Sequence, residues 1–401
     1  MAIFNFVENF LETTKIIESP TSYLEWSAYV TIGSVLRANV YIDLPSRRTK
    51  ITPNLYVLLV GDSGATRKST PLKLCNFLVK AANNTKIVEG RASIQAVLKE
   101  LAEVRRTDKV MISDAAALLY SEEFAAFLVK DPATSGILTD IYDYKEETDV
   151  ILKGEGSIKL KKLSVTLFAA TNVAFLKDMF TKTDLEGGLV ARTILIMETK
   201  ARHKALGLRD TATDEDFTPL IQHLQYLAKL KGPVRFTDEG IQYLEEWYDN
   251  TDASVNESRT GFEHRIPAHA EKLAMILAAS EPGWDLSIHK HHCIKALDKI
   301  LALRRNYHNI MSAATTDFNS TRQAIKDITH ILFTFPDLPL TRQILFQKLH
   351  GNIDAETFDK AIATLDQAGF ITCGGTTTPV YRLSPKGREI ILGETKNGGG
   401  R

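Results

Sequence analysis

Cysteine is scarce in this chain. Three residues, Cys75, Cys293 and Cys373, lie far apart in 401 positions. That spacing excludes a disulfide framework and paired zinc ligands, and it makes a reducing cytoplasm the expected compartment. Long apolar runs are missing as well. Nothing approaches the ~18 consecutive apolar residues of a membrane helix, so no membrane association is expected. The N-terminus, Met1-Ala-Ile-Phe-Asn-Phe-Val, has no basic stretch ahead of its apolar residues, so it is not expected to be a secretory leader. Net charge is also absent, with 49 Lys+Arg against 49 Asp+Glu. A protein that grips nucleic acid through one broad basic surface is therefore excluded, while local basic patches are not. There is no internal repeat. The only low-complexity segment is the tail, and residues 393–401 are expected to be disordered.

What is present suits a chain that buries a real core: 44% hydrophobic and 24% charged residues, at a length expected to hold about two or three domains. Residues 1–50 read as an N-terminal helical region with a hairpin. Apolar residues recur at helical spacing around Phe4, Phe6, Val7, Phe10 and Leu11, and again from Tyr23 to Leu36. Val40–Leu44 alternates and leads into the polar turn Ser46–Lys50. Asn54-Leu-Tyr-Val-Leu-Leu-Val60 is short, apolar and bounded by Pro53 and Gly61, as a strand buried on both faces should be. Further strands are expected at Lys109–Ser113, Ala117–Ser121, Leu163–Ala170 and Leu189–Met197. Helical patterns lie between them, at Ser93–Val104 and Phe124–Val129. Alternation of this kind predicts a mainly parallel α/β sheet over 51–205. Residues 206–315 read as helical, and 320–392 as three helices followed by a hairpin.

The most informative stretch is Gly61-Asp-Ser-Gly-Ala-Thr-Arg-Lys-Ser-Thr70, placed between the buried strand and a helix starting near Ser69. Backbone N–H groups at a helix N-terminus, with the helix dipole behind them, cradle phosphate. In that reading Gly61, Gly64, Ala65, Thr66, Arg67, Lys68, Ser69 and Thr70 line a nucleotide site. Lys68 reaches the β- and γ-phosphates, and the Ser69 hydroxyl holds Mg²⁺. The loop departs from G-x-x-x-x-G-K-[ST] in two ways. Arg67 stands at the last glycine, and Gly61 lies seven residues before Lys68 instead of six. The plainer alternative is a strand-to-helix turn with incidental Gly and Lys.

A phosphate loop that hydrolyses ATP needs carboxylates at the tip of a neighbouring strand. Glu122 and Glu123 follow Leu118-Leu-Tyr-Ser, Glu122 suited to the metal and Glu123 to activating water. Asp114 is the alternative acid, and a helix start favoured by acids is the plain reading. Asn172, after the strand at 163–170, could hold the attacking water, although Asn after a strand is also ordinary turn chemistry. Gly187-Gly188 precedes Leu189-Val-Ala-Arg192. Arg192 is either a structural ion pair or an arginine finger offered to a neighbouring subunit's γ-phosphate.

This order of elements resembles the layout of an AAA+ ATPase. Asn54–Thr70 also resembles a family of helicase-like ATPases of phages and mobile elements, in which Arg often precedes the loop Lys. The resemblance covers roughly residues 20–310 and is most specific at the loop. It implies a P-loop parallel-sheet core with a helical lid, ATP and Mg²⁺ as cofactors, and a homo-oligomeric ring, a hexamer. It also implies DNA held as a single strand in a central pore, contact with replication proteins, and the bacterial host cytoplasm as location. More distantly the chain is similar to minichromosome-maintenance helicases. Their lid arginine corresponds to Arg265 in Glu263-His-Arg265-Ile-Pro267, with Pro267 suited to the first turn of that helix. Their pore hairpin corresponds to Val150–Lys162, where Lys153, Lys159 and Lys161 would contact DNA phosphates. The bland reading of those lysines is a solvated face.

Residues 320–392 look like a winged helix, a module that often binds duplex DNA. Its recognition helix, however, carries Asp354, Glu356, Asp359 and Asp366 against Lys360, so protein docking is an equal reading. His289-Lys-His-His-Cys293 lacks a second ligand pair and is not expected to hold metal. Trp247-Tyr248 is expected to lie in the lid core. The whole sequence therefore predicts an ATP-driven AAA+ motor on DNA, with a loader or remodelling ATPase acting on protein partners as the alternative.

Overall fold

The computed structural model describes residues 4–89, 93–106, 111–124, 133–152, 156–172, 176, 188–204, 213–251, 261–336, 338–349, 354–374 and 379–388. The chain divides into two compact units, Met1–His308 and Asn309–Arg401.

In the first unit β1 (Val40–Leu44) and β2 (Thr49–Ile51) form the antiparallel hairpin that the alternating pattern predicts. β3 (Tyr56–Val60) is buried at every position, as expected of an apolar strand flanked by Pro53 and Gly61. β4 (Lys86–Glu89) follows, then a small ladder of β5 (Arg105–Arg106) and β6 (Met111–Ile112), β7 (Ala116–Ser121), β8 (Lys145–Leu152), β9 (Gly156–Thr171) and β10 (Thr193–Met197). The main sheet runs β10-β3-β9-β7-β4, and each of these pairings is parallel. The α/β reading with a parallel sheet therefore holds. β9 is the longest strand, at 16 residues. Its first half pairs antiparallel with β8, from Leu152↔Gly156 to Lys145↔Leu163, and its second half enters the sheet buried. Lys162, at φ +50°, is the joint between the halves.

The helix Thr21–Leu36 packs on this sheet against β3, β7 and β9, and the helix Phe262–Ala279 packs on that helix. Thr21–Leu36 is buried almost all round, so it reads as a core helix and not as an amphipathic one. Phe262–Ala279 is buried continuously from His269 to Ala279, except for its half-buried Glu271. Pro267 lies inside that helix, beyond the first turn where it was expected. Leu189–Arg192, expected as strand, is a single helical turn ahead of β10. A short buried apolar run carries no period that separates the two states. Here Gly188 at φ +82° starts the turn, and Thr193 Oγ1 donates to Leu189 O at 2.9 Å. Tyr248 is 64% exposed, so it is not lid core.

The helix Arg304–Thr334 is continuous from the helical region expected to end at 315 into the unit expected to begin at 320. The second unit then holds Arg342–Lys348, Ala355–Gln367 and a three-stranded antiparallel sheet in which Val380–Leu383 lies between Leu340–Thr341 and Ile371–Gly374. Ile328, Leu345, Phe358, Leu365 and Ile371 form its core. No helix among the described residues is long and apolar enough to cross a membrane. The tail at 393–401 lies outside the described residues.

Candidate active site

The phosphate-type loop sits at the carboxyl edge of the sheet. Gly61 N–H donates to Thr171 O of the next strand at 3.3 Å. A Cβ on Gly61 would fall 2.6 Å from Thr66 Oγ1, 2.7 Å from Glu198 O and 2.8 Å from Tyr23 Oη, so only glycine fits. The loop is braced from outside. Ser19 Oγ donates to Arg67 O at 2.8 Å, Ala201 N–H to Ala65 O at 2.9 Å, and Tyr23 Oη to Val60 O at 2.5 Å. Arg67 adopts φ +51°, the left-handed conformation for which glycine is normally selected. Its side chain turns outward to Glu18, with Nε 2.6 Å from Oε2. The backbone N–H groups of Gly64, Ala65, Thr66 and Arg67 donate to no acceptor among the described residues. A bracketed loop with free N–H groups is an anion-binding concavity.

Lys68 folds back over this loop and donates to Gly61 O and, at 3.2 Å, to Asp62 O. It forms no ion pair among the described residues, and partial burial holds its ammonium below the usual value. Ser69 opens the helix Ser69–Ala82 directly behind it. These features fit a bound triphosphate. Lys68 would exchange carbonyl oxygens for phosphate, with Gly61, Gly64, Ala65, Thr66, Arg67, Ser69 and Thr70 around it. Ser69 Oγ and the Glu122 carboxylate would face the metal.

Strand register sets the remaining groups. Val60 lies opposite Thr171, and Ser121 lies opposite Ala169, two residues earlier. Gly61, Asn172 and Glu123 therefore leave the sheet at one edge and at nearly one level. Glu122 accepts from Tyr120 Oη at 2.8 Å and lies 3.9 Å from Lys73 Nζ on the loop's own helix. Asp114 is elsewhere. It precedes β7, at the amino edge, where it pairs with Arg37 in the interior. As a candidate for the metal acid it is on the wrong side of the sheet.

Arg192 also sits at the amino edge, because Thr193 opens β10 opposite Tyr56, the first residue of β3. The length of β3 alone, about 16 Å at 3.3 Å per residue, separates that level from the loop. Arg192 Nη1 donates to Gly188 O at 3.1 Å and Nη2 to Asp143 Oδ2 at 3.1 Å. Arg265 Nη1 approaches the other oxygen of the same carboxylate, at 3.7 Å. Two arginines from separate elements thus converge on Asp143, which sequence reading did not single out and for which no local signal exists. Lys272 lies behind them, fully enclosed. It donates to Asn54 O at 3.1 Å and Asn54 Oδ1 at 2.5 Å, and burial pushes it down to about 7.

The hairpin expected at Val150–Lys162 is formed by β8 and β9. Lys159 pairs with Glu147 across it, while Lys161 has no ion pair among the described residues. Lys153 lies outside the described residues. In the second unit the acids of Ala355–Gln367 are engaged locally. Asp354 caps the helix at Thr357 N–H, Glu356 meets Lys360, and Asp359 takes Arg342 through two 2.9 Å bonds. Glu281, His291 and His292 bring three ligand atoms within 4.8 Å of one another. His292 Nδ1, however, accepts from His289 N–H at 3.0 Å. The neutral ring's proton is then on Nε2, 3.1 Å from Glu281, so the group reads as a helix cap and not as a metal centre. Neither protein-family models nor curated proteins give a match to this chain.

Proposed function

We propose that the chain is an ATP-hydrolysing AAA+ motor that assembles as a ring, a hexamer, and acts on DNA, with the second unit as a winged helix. The observation that carries this reading is the gathering of the phosphate-type loop, Glu122, Glu123 and Asn172 at one edge of the sheet. Lys68 neutralises the β- and γ-phosphates, Ser69 and Glu122 hold Mg²⁺, Glu123 takes the proton of the attacking water, and Asn172 orients that water. Arg192 and Arg265, a strand length from their own loop, act on the γ-phosphate of the adjacent subunit, where developing negative charge needs a guanidinium. In that assembly Asp143 yields its arginines to the phosphate. The hairpin of β8 and β9, with Lys153, Lys159 and Lys161, faces the strand in the pore.

Mixing two defective chains tests this. Lys68→Ala and Arg192→Ala subunits, each inactive alone, should recover part of the hydrolysis together, wherever an intact loop faces an intact Arg192. If Arg192 serves only Asp143, mixing rescues nothing and Arg192→Ala melts at lower temperature. A wild type that is fully active as a monomer would end the ring reading.

A further inference from the structure

A cleft of about 950 Å³ opens at the amino edge of the sheet, away from the phosphate-type loop. Its floor is the Arg37–Asp114 pair. Both side chains are more than nine-tenths buried, and each leaves one polar atom unpaired, Arg37 Nε and Asp114 Oδ1. Neither of these two atoms is exposed to the cleft, so the pair closes the floor, and the charge a ligand would meet comes from the walls. The walls are cationic. Lys159, Lys161 and Lys162 come from the root of the hairpin, and Lys229 and Lys231 from the segment after the helix Thr218–Leu227. Among the described residues Asp114 is the only carboxylate in the lining. Lys161, Lys162, Lys229 and Lys231 form no ion pair among the described residues. Three of the lining residues, Arg37 at φ +59°, Asn83 at φ +53° and Lys162 at φ +50°, hold backbone conformations that side chains seldom adopt. Strain of that kind persists where the surroundings over-determine it, as binding sites do.

We propose that this cleft takes the phosphodiester backbone of a single nucleic-acid strand. This rests on the nucleic-acid half of the function proposed above. The chemistry selects the ligand. Lysines are point charges without the fork that fixes one phosphate or carboxylate, so they suit a repeating anion that passes along them. No aromatic side chain lines the cleft among the described residues, so a free nucleotide would find phosphate contacts there but no platform for its base. The net charge of the chain is zero, so a phosphate backbone is drawn to a local concentration of lysines and not to the surface as a whole.

The test uses the full chain and a fluorescent single-stranded oligonucleotide, read by anisotropy across a salt series. Lys162, Lys229 and Lys231 are changed together to Ala. They lie on the surface and hold no core contact, so the melting temperature should stay unchanged. Each phosphate contact on a single strand contributes about 0.7 to the slope of log K against log salt. The triple variant should therefore lose about 2 from that slope and roughly a hundredfold in affinity near 0.1 M salt. ATP turnover measured without nucleic acid should not change. Unchanged affinity and slope in the triple variant would overturn the cleft and leave the motor reading standing. Normal turnover by Lys68→Ala would overturn the motor reading and leave the cleft standing. If free ATP displaces the oligonucleotide from Lys68→Ala protein at micromolar concentration, the occupant is a nucleotide and the strand assignment falls.

Discussion

At its carboxyl edge the parallel sheet presents backbone N–H groups, one lysine and a pair of acids. At its amino edge it presents a buried Arg37–Asp114 pair, a row of lysines, and two arginines sharing Asp143. The first edge is built from segments that follow strands, and the N–H groups of Gly64–Arg67 in its loop donate to no acceptor among the described residues. The second is built from side chains brought together from distant segments, with its arginines paired to Asp114 and Asp143 and most of its lysines without an ion pair among the described residues. The difference predicts that substitutions at the carboxyl edge change chemistry and spare stability, while substitutions at the floor of the amino edge do the reverse.

The largest expected break in that contrast is Lys68→Ala. Losing the main cation on the transferred phosphate should lower ATP turnover by about 10²–10³-fold, with an unchanged melting curve. Glu123→Gln should follow at roughly a hundredfold, with nucleotide binding retained in an equilibrium assay. Asp114→Ala sharpens the other side. Removing one partner of a buried pair leaves Arg37 uncompensated and should cost about 3–5 kcal/mol in denaturant unfolding. If Asp114→Asn abolishes turnover while Glu123→Gln turns over normally, the two edges have been assigned the wrong way round.

Smaller effects come from buried lysines. Burial pushes Lys272 down to about 7 and Lys86 down to about 8, from an ordinary 10.5. Below pH 7 each is charged in both states, and folding carries the cost of enclosing that charge. Between about 7 and 10.5 the unfolded chain holds more protons, so stability rises with pH through that window. Each lysine contributes at most about 1.4 kcal/mol per pH unit. Urea midpoints between pH 6.5 and 9 should show the rise, and Lys272→Met should flatten it. The smallest effect is expected from Arg67→Gly. It relieves a left-handed conformation worth about 1–2 kcal/mol and loses an exposed ion pair worth about 0.5 kcal/mol. Turnover within a few-fold of wild type is expected, and an inactive variant would give Arg67 a role of its own.

The carboxyl edge was legible in the sequence because strand, loop and helix are contiguous there, and each tip residue follows its own apolar run. Even the irregular Arg67 marked a position of unusual backbone. The amino edge was not legible. Arg37 and Asp114 are 77 residues apart, and Arg192 and Asp143 are 49 apart, with no periodicity joining them. Asp114 could be offered as a metal acid only because sequence does not say on which end of a strand a carboxylate emerges. Leu189–Arg192 was taken for strand because four buried apolar-rich residues look alike in either state. The helix expected around Arg265 is present, but it starts earlier than Pro267 suggests. Phe262 begins the helix, and a proline in the second turn is tolerated by the packing around it.

The 16 residues of β9 are one unbroken piece of backbone, about 50 Å long at 3.3 Å per residue. One end stops beside the phosphate-type loop, just before Asn172, and the other carries the hairpin and three of the five lysines that line the cleft. Mechanically it is a connecting rod. A push at the Asn172 end travels along a strand clamped on both sides by β3 and β7, and the first place it can be absorbed is the bend at Lys162. The stiffness of that single joint sets how much of a displacement at the loop arrives at the hairpin.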